Sequence, residues 1–477
     1  MLQPDSGPGV GSGHLARCFA IGQRWSDRGG EVVLTADDVP DLWRDRCRAE
    51  GFEVVARPAV GTAPTRRADW TVLDGYRWDD ADLVQAREES RFVLLIADHG
   101  TPDLRGADLV VDQNLDDPSA PRRYDAPEVL LGPRYALLRR ELRQWRLRSI
   151  GAGAPEGGRP SVVVSLGGDP PAAATALVEQ VLADRRLAGC RTTVLLGRSD
   201  VVPALAGATV ALSAAGSTAW ELCAFGLPTV YVATADNQEP VGRAIDAAGA
   251  GIYAGRLEEL AASDLAGTLD RLLSDPERRR QLAEAARDLV DGVGVSRVVA
   301  RMRSHLLTVR EAGPADRELL WEWASDAEVR ANSFSSDPIP FEDHVVWFDR
   351  LLADPGRRQY VVERIGPGGS APIGQIRFDI GPGAHGGPGH DTAAVAEIGV
   401  SVAPEHRGDG WGGPLICAGV WRFTRDCPQV TALEAKVKPG NHASGRSFVE
   451  ADFDGPTTGD PSFSRYVRTV ATERPDG

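Results

Sequence analysis

The chain has 477 residues, of which 42% are hydrophobic and 25% are charged, and its formal net charge is −15 at pH 7. The length allows two to four domains, and the composition is that of a globular protein rather than a disordered one. The negative charge argues against nucleic-acid and acidic-membrane partners, and no apolar run of about 18 residues is present to span a bilayer. We therefore expect neither kind of partner.

Six cysteines are scattered along the chain without the close pairing that typical metal sites show. The N-terminal residues lack the basic and then apolar pattern of a signal peptide. Both features predict a cytoplasmic protein with reduced thiols and no bound metal.

The first motif is Gly11-Ser12-Gly13-His14, followed by Arg17 and a pattern of helical periodicity. Only Met1–Asp5 stand where an apolar strand should feed this loop, so either the first strand is very short or the start of the chain is clipped. Glycines allow a ligand to approach the backbone, and a helix that begins here directs free N–H groups and its positive dipole end at the ligand. This arrangement suits a diphosphate, with His14 at the rim to move a proton near neutral pH. The alternative is an ordinary strand-to-helix turn whose histidine caps the helix.

Apolar runs then alternate with amphipathic segments, which predicts a parallel sheet covered by helices on both faces. Ligands of such sheets bind beyond the carboxyl ends of the strands. Asp74, Asp98 and Asn114 fall at these ends, and Tyr76 follows closely. They are candidates to orient a substrate or a water molecule, or else they cap strand ends. A long basic helix is predicted over residues 132–148.

A glycine-rich linker over residues 151–158 precedes a second set of alternating strands and helices. Its main motif runs from Ser213 through Gly216 and Ser217 to Glu221, and Asn237-Gln238 follow the next strand. Gly216 and Ser217 would place donors against a phosphate at a helix start. Glu221, one turn later, could accept both hydroxyls of a ribose. The alternative is an ordinary strand-helix-strand unit with a capped helix.

This second motif resembles the nucleotide-sugar half of GT-B glycosyltransferases. The first half narrows the resemblance to the UDP-sugar hydrolases of pseudaminic acid biosynthesis, through Asp5-Ser6-Gly7, the Gly11–Cys18 segment, Asp74-Gly75-Tyr76, Gly132–Arg139 and Gly167-Gly168-Asp169. Gln3, where the family usually has arginine, and His99, in place of a second aspartate, depart from its pattern. The resemblance implies an α/β fold of two Rossmann-like halves of GT-B type, over residues 1–150 and 151–305.

In that family, water displaces UDP from a UDP-2,4-diacetamido-2,4,6-trideoxyhexose without a metal. The resemblance therefore implies His14 as the catalytic residue, assisted by Asp74 and Asp98. It implies that the UDP-sugar is bound by residues of both halves: Asp5, Gly11, Gly13, Arg17, Tyr76, Tyr135, Gly168, Asp169, Gly216, Ser217, Glu221, Asn237 and Gln238.

The pattern changes near residue 305. A strand predicted over 397–403 leads into Arg407-Gly408-Asp409-Gly410-Trp411-Gly412 and a helix from Pro414. This loop resembles the acyl-CoA pyrophosphate loop of GNAT acetyltransferases, where a helix N-terminus and glycines admit the pyrophosphate. The resemblance implies an α+β GNAT domain over residues 306–477 with acetyl-CoA as cosubstrate.

The later segment from Asn441 to Phe453 resembles the CoA-side helix of the same family, although Phe448 stands where many members have a tyrosine acid. Glu397 is the candidate base for an amine, or else a solvent-facing strand residue. The implied acetyl-CoA contacts come from one strand, the glycine loop and the later helix: Val400, Val402, Arg407, Gly408, Gly410, Gly412, Asn441 and Ser444.

Together the two resemblances predict a bifunctional enzyme that N-acetylates a UDP-linked amino sugar and then removes UDP. One alternative is a GT-B glycosyltransferase that passes the sugar to an acceptor, fused to the acetyltransferase. Another is a nucleotide-sugar sensor without catalysis, in which His14 is structural.

Overall fold

The computed structural model describes residues 1–7, 10, 12–57, 67–98, 104–115, 124–149, 159–167, 170–195, 201–366, 368–382 and 394–470. The chain divides into two compact units, Met1–Val298 and Val299–Gly477. Among the described helices, none is both long enough and apolar enough to cross a membrane.

The first unit begins with a parallel sheet of seven strands in the order β3-β2-β1-β4-β5-β6-β7. Its first six strands follow the 3-2-1-4-5-6 order of a doubly wound sheet. The first strand is very short, which is one of the two possibilities that the sequence left open: β1 has three residues, all buried, and lies between β2 and β4. The strands are β1 Leu2–Pro4, β2 Val33–Thr35, β3 Glu53–Val55, β4 Ala68–Asp74, β5 Ser90–Ile96, β6 Leu109–Asp112 and β7 Glu128–Leu131.

The helices that connect these strands are amphipathic or carry one buried face, as the alternation of apolar and polar residues predicts. α3 begins with a complete capping box in which Asp79 accepts from two backbone N–H groups. The helices are α1 Gly13–Ser26, α2 Asp41–Ala49, α3 Asp80–Glu89 and α4 Arg140–Ser149.

The single basic helix expected over residues 132–148 is wrong. A short 3-10 turn covers Pro133–Tyr135, and α4 begins only at Arg140. The chain leaves helical geometry at Ala136, with φ −52° and ψ 126°. The next N–H group, that of Leu137, donates to the Gln113 side chain at 3.0 Å instead of to a helical carbonyl. This competing side-chain acceptor explains the break, because the extended segment satisfies its backbone without a helix.

A second parallel sheet of five strands lies in the same unit, in the order β12-β11-β10-β8-β9. If β8 is numbered as strand 1 and the sheet is read from β9 to β12, the order is 2-1-3-4-5. This is the other common doubly wound arrangement. A 3-10 turn at Leu257–Glu259 precedes α9. The strands are β8 Ser161–Ser165, β9 Arg191–Val194, β10 Val210–Ala214, β11 Thr229–Ala233 and β12 Ile252–Arg256.

The helices of this half pack on both faces of the sheet, and Trp220 of α7 and Tyr231 of β11 are completely buried. α11 spans the point where the two compact units divide. The helices are α5 Ala172–Leu182, α6 Val202–Ala206, α7 Thr218–Phe225, α8 Gln238–Ala247, α9 Ala262–Ser274, α10 Pro276–Leu289 and α11 Gly294–Ser304.

The second unit is built on a seven-stranded sheet in the order β13-β14-β15-β16-β17-β19-β18. All neighbours are antiparallel except β16 and β17, which run parallel. β15 ends at Pro382, and residues 383–393, which separate it from β16, lie outside the described residues. The strands are β13 Leu307–Glu311, β14 Arg357–Gly366, β15 Gly369–Pro382, β16 Ala394–Val402, β17 Val430–Val437, β18 Asp454–Asp460 and β19 Phe463–Thr469.

Two hydrophobic clusters form the core of the described part of this unit, and in the larger one the Phe378 and Phe423 rings stack at 3.9 Å between β15 and α15. The mixed sheet with flanking helices confirms the α+β architecture predicted for the C-terminal part. The helices are α12 Arg317–Ser325, α13 Ala327–Asn332, α14 Phe341–Ala353, α15 Gly412–Asp426 and α16 His442–Glu450.

Candidate active sites

A cleft of about 630 Å³ opens at the carboxyl ends of both parallel sheets in the first unit. Its walls include the segments that follow β1 and β4 of the first sheet and β8 and β10 of the second. In each sheet these are the two strands between which the strand order reverses, where doubly wound folds bind their ligands. The predicted residues that line it are Gly13, His14, Arg17, Tyr76, Asp98, Gly216, Ser217, Glu221, Asn237 and Gln238.

Asp5 and Tyr135, also predicted to bind substrate, are not among the residues that line this cleft, and both have contacts within the fold. The Asp5 N–H donates to the Asp74 carbonyl at 2.6 Å, and its carboxylate lies 3.4 Å from the Arg77 guanidinium. Tyr135 is buried in the 3-10 turn. Its backbone packs so closely on Gly294 that a side chain at position 294 would not fit. Three further predicted residues, Gly11, Gly168 and Asp169, lie outside the described residues.

Two helix N-termini, one from each half, meet in the cleft. α1 begins at Gly13 and α7 at Thr218, and a Cβ placed on Gly13 would lie 2.8 Å from the Ser217 hydroxyl. Neither N-cap residue, Ser12 or Ser217, caps its helix with its side chain. The first-turn N–H groups of both helices therefore remain available for an anion, and both dipoles favour negative charge at the same place.

His14 is held by two buried partners of opposite charge. Its Nδ1 lies 2.7 Å from Asp74 Oδ1 and 2.8 Å from Arg17 Nη2. An ionised carboxylate only accepts and a guanidinium only donates, so Nδ1 can bond one of them at a time. A proton on Nδ1 donated to Asp74 leaves the Nε2 lone pair free to act as a base.

Asp74 is completely buried, so the direct contact with sugar or water that the sequence suggested for it is replaced by contacts to His14 and Arg17. Arg17 donates from Nε and Nη2 to both carboxylate oxygens of Asp74, at 2.9 and 2.6 Å. Burial opposes the charge on Arg17, but Asp74 and Asp98 outweigh it, and the pKa of the guanidinium is raised. Arg17 thus holds the Asp74 carboxylate in one orientation.

A polar chain continues from Arg17 across the cleft. Arg17 Nη1 donates to Asp98 at 3.2 Å, and the Tyr76 hydroxyl donates to the same carboxylate oxygen at 3.0 Å. Asn237 of the second half donates to the Tyr76 oxygen at 2.9 Å. Burial and the neighbouring Asp98 charge raise the pKa of Tyr76, so it remains a neutral phenol. Its ring meets the His14 ring edge-on, with centroids 4.9 Å apart.

Arg139 is a cleft residue to which sequence reasoning gave no role. The segment that carries it is extended rather than helical, and its guanidinium reaches across to Glu221 Oε1 at 3.1 Å. Burial opposes its charge, yet Glu221 and Glu141 raise the pKa of Arg139 overall. Arg139 was not identified from the sequence because the prediction placed the residue in a helix over residues 132–148. A helix there gave no reason to expect its side chain in the cleft.

In the second unit, β16 and β17 separate part-way along their length. Their parallel pairing ends at Glu397 and Glu434, whereas β16 remains paired with β15 as far as Val402. Within the described residues, the stretch from Ile398 to Val402 has no strand partner on its other side. Val400 and Val402, both predicted to contact acetyl-CoA, lie on this open edge, whose backbone groups can bond an extended ligand.

The glycine loop follows this open edge and leads directly into α15. Gly408 and Gly410 have φ of +84° and +71°, in the left-handed region that side chains disfavour. Arg303 donates to the Asp409 and Gly410 carbonyls at 3.0 Å, so these carbonyls are engaged and the loop is held. The N-terminus of α15 at Gly412 is thus available to an anion, as predicted for the pyrophosphate.

Arg407 holds the loop through contacts inside the unit. It donates to the Val402 carbonyl at 3.2 Å and pairs with Asp326 at 2.8 Å and Glu328 at 3.1 Å. The Arg407 side chain is therefore bonded to residues of the same unit. The backbone that follows it leads to the N-terminus of α15.

Asn441 is the N-cap of α16, and its side chain accepts from the Ser444 N–H at 3.1 Å. Phe448 is buried against Phe453 and Tyr466, so this helix offers no phenol at that position. A phenol of β19 lies against this helix instead. A Cβ added to Gly445 of α16 would lie 2.4 Å from the Tyr466 hydroxyl oxygen.

Glu397 lies at the point where β16 and β17 separate, half exposed, and accepts from Lys436 at 2.6 Å. The bond to Glu397 is the main cause of the raised pKa of Lys436. The position fits a base at the mouth of the opening, although a surface ion pair of this kind contributes little to stability.

Residues 307–454 match the acetyltransferase (GNAT) domain family. The C-terminal part of the chain is therefore a GNAT acetyltransferase domain, and the domains of this family take their acetyl group from acetyl-CoA. No curated protein matches the chain.

Solved acetyltransferases cover about a third of the chain at low similarity. The aminoglycoside acetyltransferase AAC(6')-Ib with coenzyme A and kanamycin is 22% identical, covering 34% of this chain and 94% of its own, with a TM-score of 0.28. The Vibrio cholerae spermidine N-acetyltransferase is 17% identical, covering 35% and 96%, with a TM-score of 0.29. The Campylobacter jejuni N-acetyltransferase PseH is 17% identical, covering 35% and 99%, with a TM-score of 0.25.

Proposed function

Since the C-terminal part is an acetyltransferase domain, we propose that the chain catalyses two consecutive reactions on a UDP-linked amino sugar. Residues 306–477 transfer an acetyl group from acetyl-CoA to the 4-amino group of the sugar. Residues 1–305, as a GT-B-like pair of halves, then hydrolyse the UDP-2,4-diacetamido-2,4,6-trideoxyhexose to free sugar and UDP, in nonulosonic acid biosynthesis of the pseudaminic type. The observation that carries the hydrolase part is the meeting of two helix N-termini beside His14.

In the acetyl transfer, the extended part of acetyl-CoA pairs with the open edge of β16, and its pyrophosphate binds at the start of α15. The sugar amine attacks the thioester carbon, so that a C–N bond forms and the C–S bond breaks. Glu397, directly or through water, takes the amine proton, and the CoA thiolate is protonated as it leaves.

In the hydrolysis, a water oxygen bonds to the anomeric carbon while the bond from that carbon to the UDP oxygen breaks. His14 Nε2 removes a proton from the water, and Asp74 stabilises the imidazolium that forms. The amides at the starts of α1 and α7 stabilise the departing diphosphate. Tyr76 and Asn237, bonded to each other at 2.9 Å, supply polar groups that orient the water or the sugar.

Asp74→Asn is expected to lower UDP release about tenfold to a hundredfold, because His14 loses a charged hydrogen bond that fixes its tautomer. UDP binding should change little, since Asp74 does not line the cleft. Measurement of kcat and of UDP affinity by calorimetry checks both parts. Unchanged kcat would contradict the positioning role of Asp74.

Glu221→Ala is expected to weaken UDP binding by roughly 1–3 kcal/mol, because a charged partner of the ribose hydroxyls is lost. Calorimetric titration with UDP measures this directly, and Glu239→Ala on the exposed side of α8 is the matched control. UDP affinity equal to that of the unmodified protein would remove the ribose role.

A further inference from the structure

Arg139 is fixed in the cleft by its flanking residues. On one side, the Leu137 N–H donates to Gln113, and on the other the Arg140 N–H donates to Gln23 at 2.8 Å. The Arg140 guanidinium is further bound by Glu50 at 2.8 Å. Only 6% of the Arg139 side chain is exposed, so its guanidinium has little freedom to leave the cleft.

Glu221 approaches from the other half and is fixed in a similar way. The adjacent residue, Trp220, donates its indole N–H to Asn114 at 3.2 Å, which ties the first turn of α7 to the first half. Arg139 Nη2 then binds Glu221 Oε1 at 3.1 Å, while Nη1 lies 3.3 Å from Glu141. Oε2 of Glu221 has no bond in the part of the chain that the structure describes.

We infer that Arg139 is a positioning residue that aims Glu221 at the ribose and so makes the cleft selective for a ribonucleotide over a 2′-deoxyribonucleotide. The inference rests on the proposed function in taking a uridine diphosphate as the ligand and Glu221 as the partner of its ribose. A carboxylate with one oxygen held by a guanidinium presents its other oxygen in a fixed direction, and the two neighbouring ribose hydroxyls are donors that match it.

The selectivity follows from the difference between the two nucleotides. A ligand without the 2′ hydroxyl leaves part of the buried carboxylate unpaired, and a site built to bond a hydroxyl discriminates strongly against an analogue that lacks it. Without Arg139 the carboxylate is no longer held in one orientation. The affinity for the ribonucleotide then falls, whereas the affinity for the deoxyribonucleotide changes little.

The test is a calorimetric titration of the full chain with UDP and with 2′-deoxyuridine 5′-diphosphate. Variants are Arg139→Met, Arg139→Lys, Glu221→Gln and the double variant Arg139→Met/Glu221→Gln. The control is Arg46→Met, which removes another cleft arginine that pairs with Glu141 but not with Glu221. Thermal unfolding establishes that each variant is folded.

We expect Arg139→Met to weaken UDP binding about tenfold or more while the affinity for the deoxy analogue changes less than about threefold. Arg139→Lys should recover part of the difference, and the double variant should lose no more selectivity than Glu221→Gln alone. Arg46→Met should leave the ratio of the two affinities unchanged.

An equal loss of affinity for both nucleotides in folded Arg139→Met, or no loss for either, would overturn the inference while leaving the proposed function intact. Absence of UDP binding by the unmodified protein would instead overturn the proposed function, and the inference with it.

Discussion

Replacing His14 by asparagine is expected to lower the rate of UDP release by about 10²–10⁴-fold, the range that general acid–base catalysis supplies. The reason is that the described cleft places this imidazole, backed by a completely buried Asp74, beside the two helix N-termini. Binding of UDP should remain nearly unchanged, because the proposal assigns the diphosphate to backbone amides and the ribose to Glu221.

The chain supplies its own control for this variant. Acetyl transfer by the second unit should continue at the normal rate in the same protein, which shows that the protein is intact. A His14→Asn variant that releases UDP at a near-normal rate would remove the histidine from the mechanism, and a loss of both activities would indicate unfolding instead.

Gly410→Val is expected to abolish most acetyl transfer and to weaken acetyl-CoA binding at least tenfold, while UDP release from an acetylated substrate continues. Gly410 has φ +71°, where a β-branched residue is strained by about 1–3 kcal/mol, and its backbone belongs to the loop that we propose binds the pyrophosphate. Acetyl-CoA titration and the rates of both reactions measure the effect.

Gly369→Val is the matched control, because Gly369 also has a positive φ, of +111°, but lies at the start of β15 with no neighbour within 4 Å of its added Cβ. It should carry a similar backbone strain and keep acetyl-CoA binding. Equal loss of acetyl-CoA affinity in the two variants would show that strain alone, and not the glycine loop, explains the result.

The sequence predicted the elements with strong local signals. The glycine-rich loop before α15 and the alternation of strands and helices before residue 150 depend on short-range periodicity, and both were confirmed. The helix over residues 132–148 was wrong because Gln113, distant in sequence, captures the Leu137 N–H. Local patterns contain no information about such a contact.

The same limit explains what the sequence could not show about the cleft. His14 is identified by its loop, but the burial of Asp74 and its bonds to Arg17 require the packing of α1 on β4. Arg139 pairs with Glu221 across 82 residues of sequence and was given no role. The chain has many acidic and many basic residues, so two charged partners that lie far apart in sequence cannot be matched from their spacing alone.

The central claim is that acetylation and loss of UDP occur in that order on one chain. The most direct measurement is UDP release from a UDP-4-amino-sugar, incubated with the full chain in the presence and absence of acetyl-CoA, with product analysis. We predict that UDP and free acetylated sugar appear only when acetyl-CoA is present, because the missing acetyl group leaves polar groups of the pocket unpaired. UDP release that is equal without acetyl-CoA, an absence of UDP release from the acetylated sugar, or transfer of the sugar to an added acceptor would contradict the account.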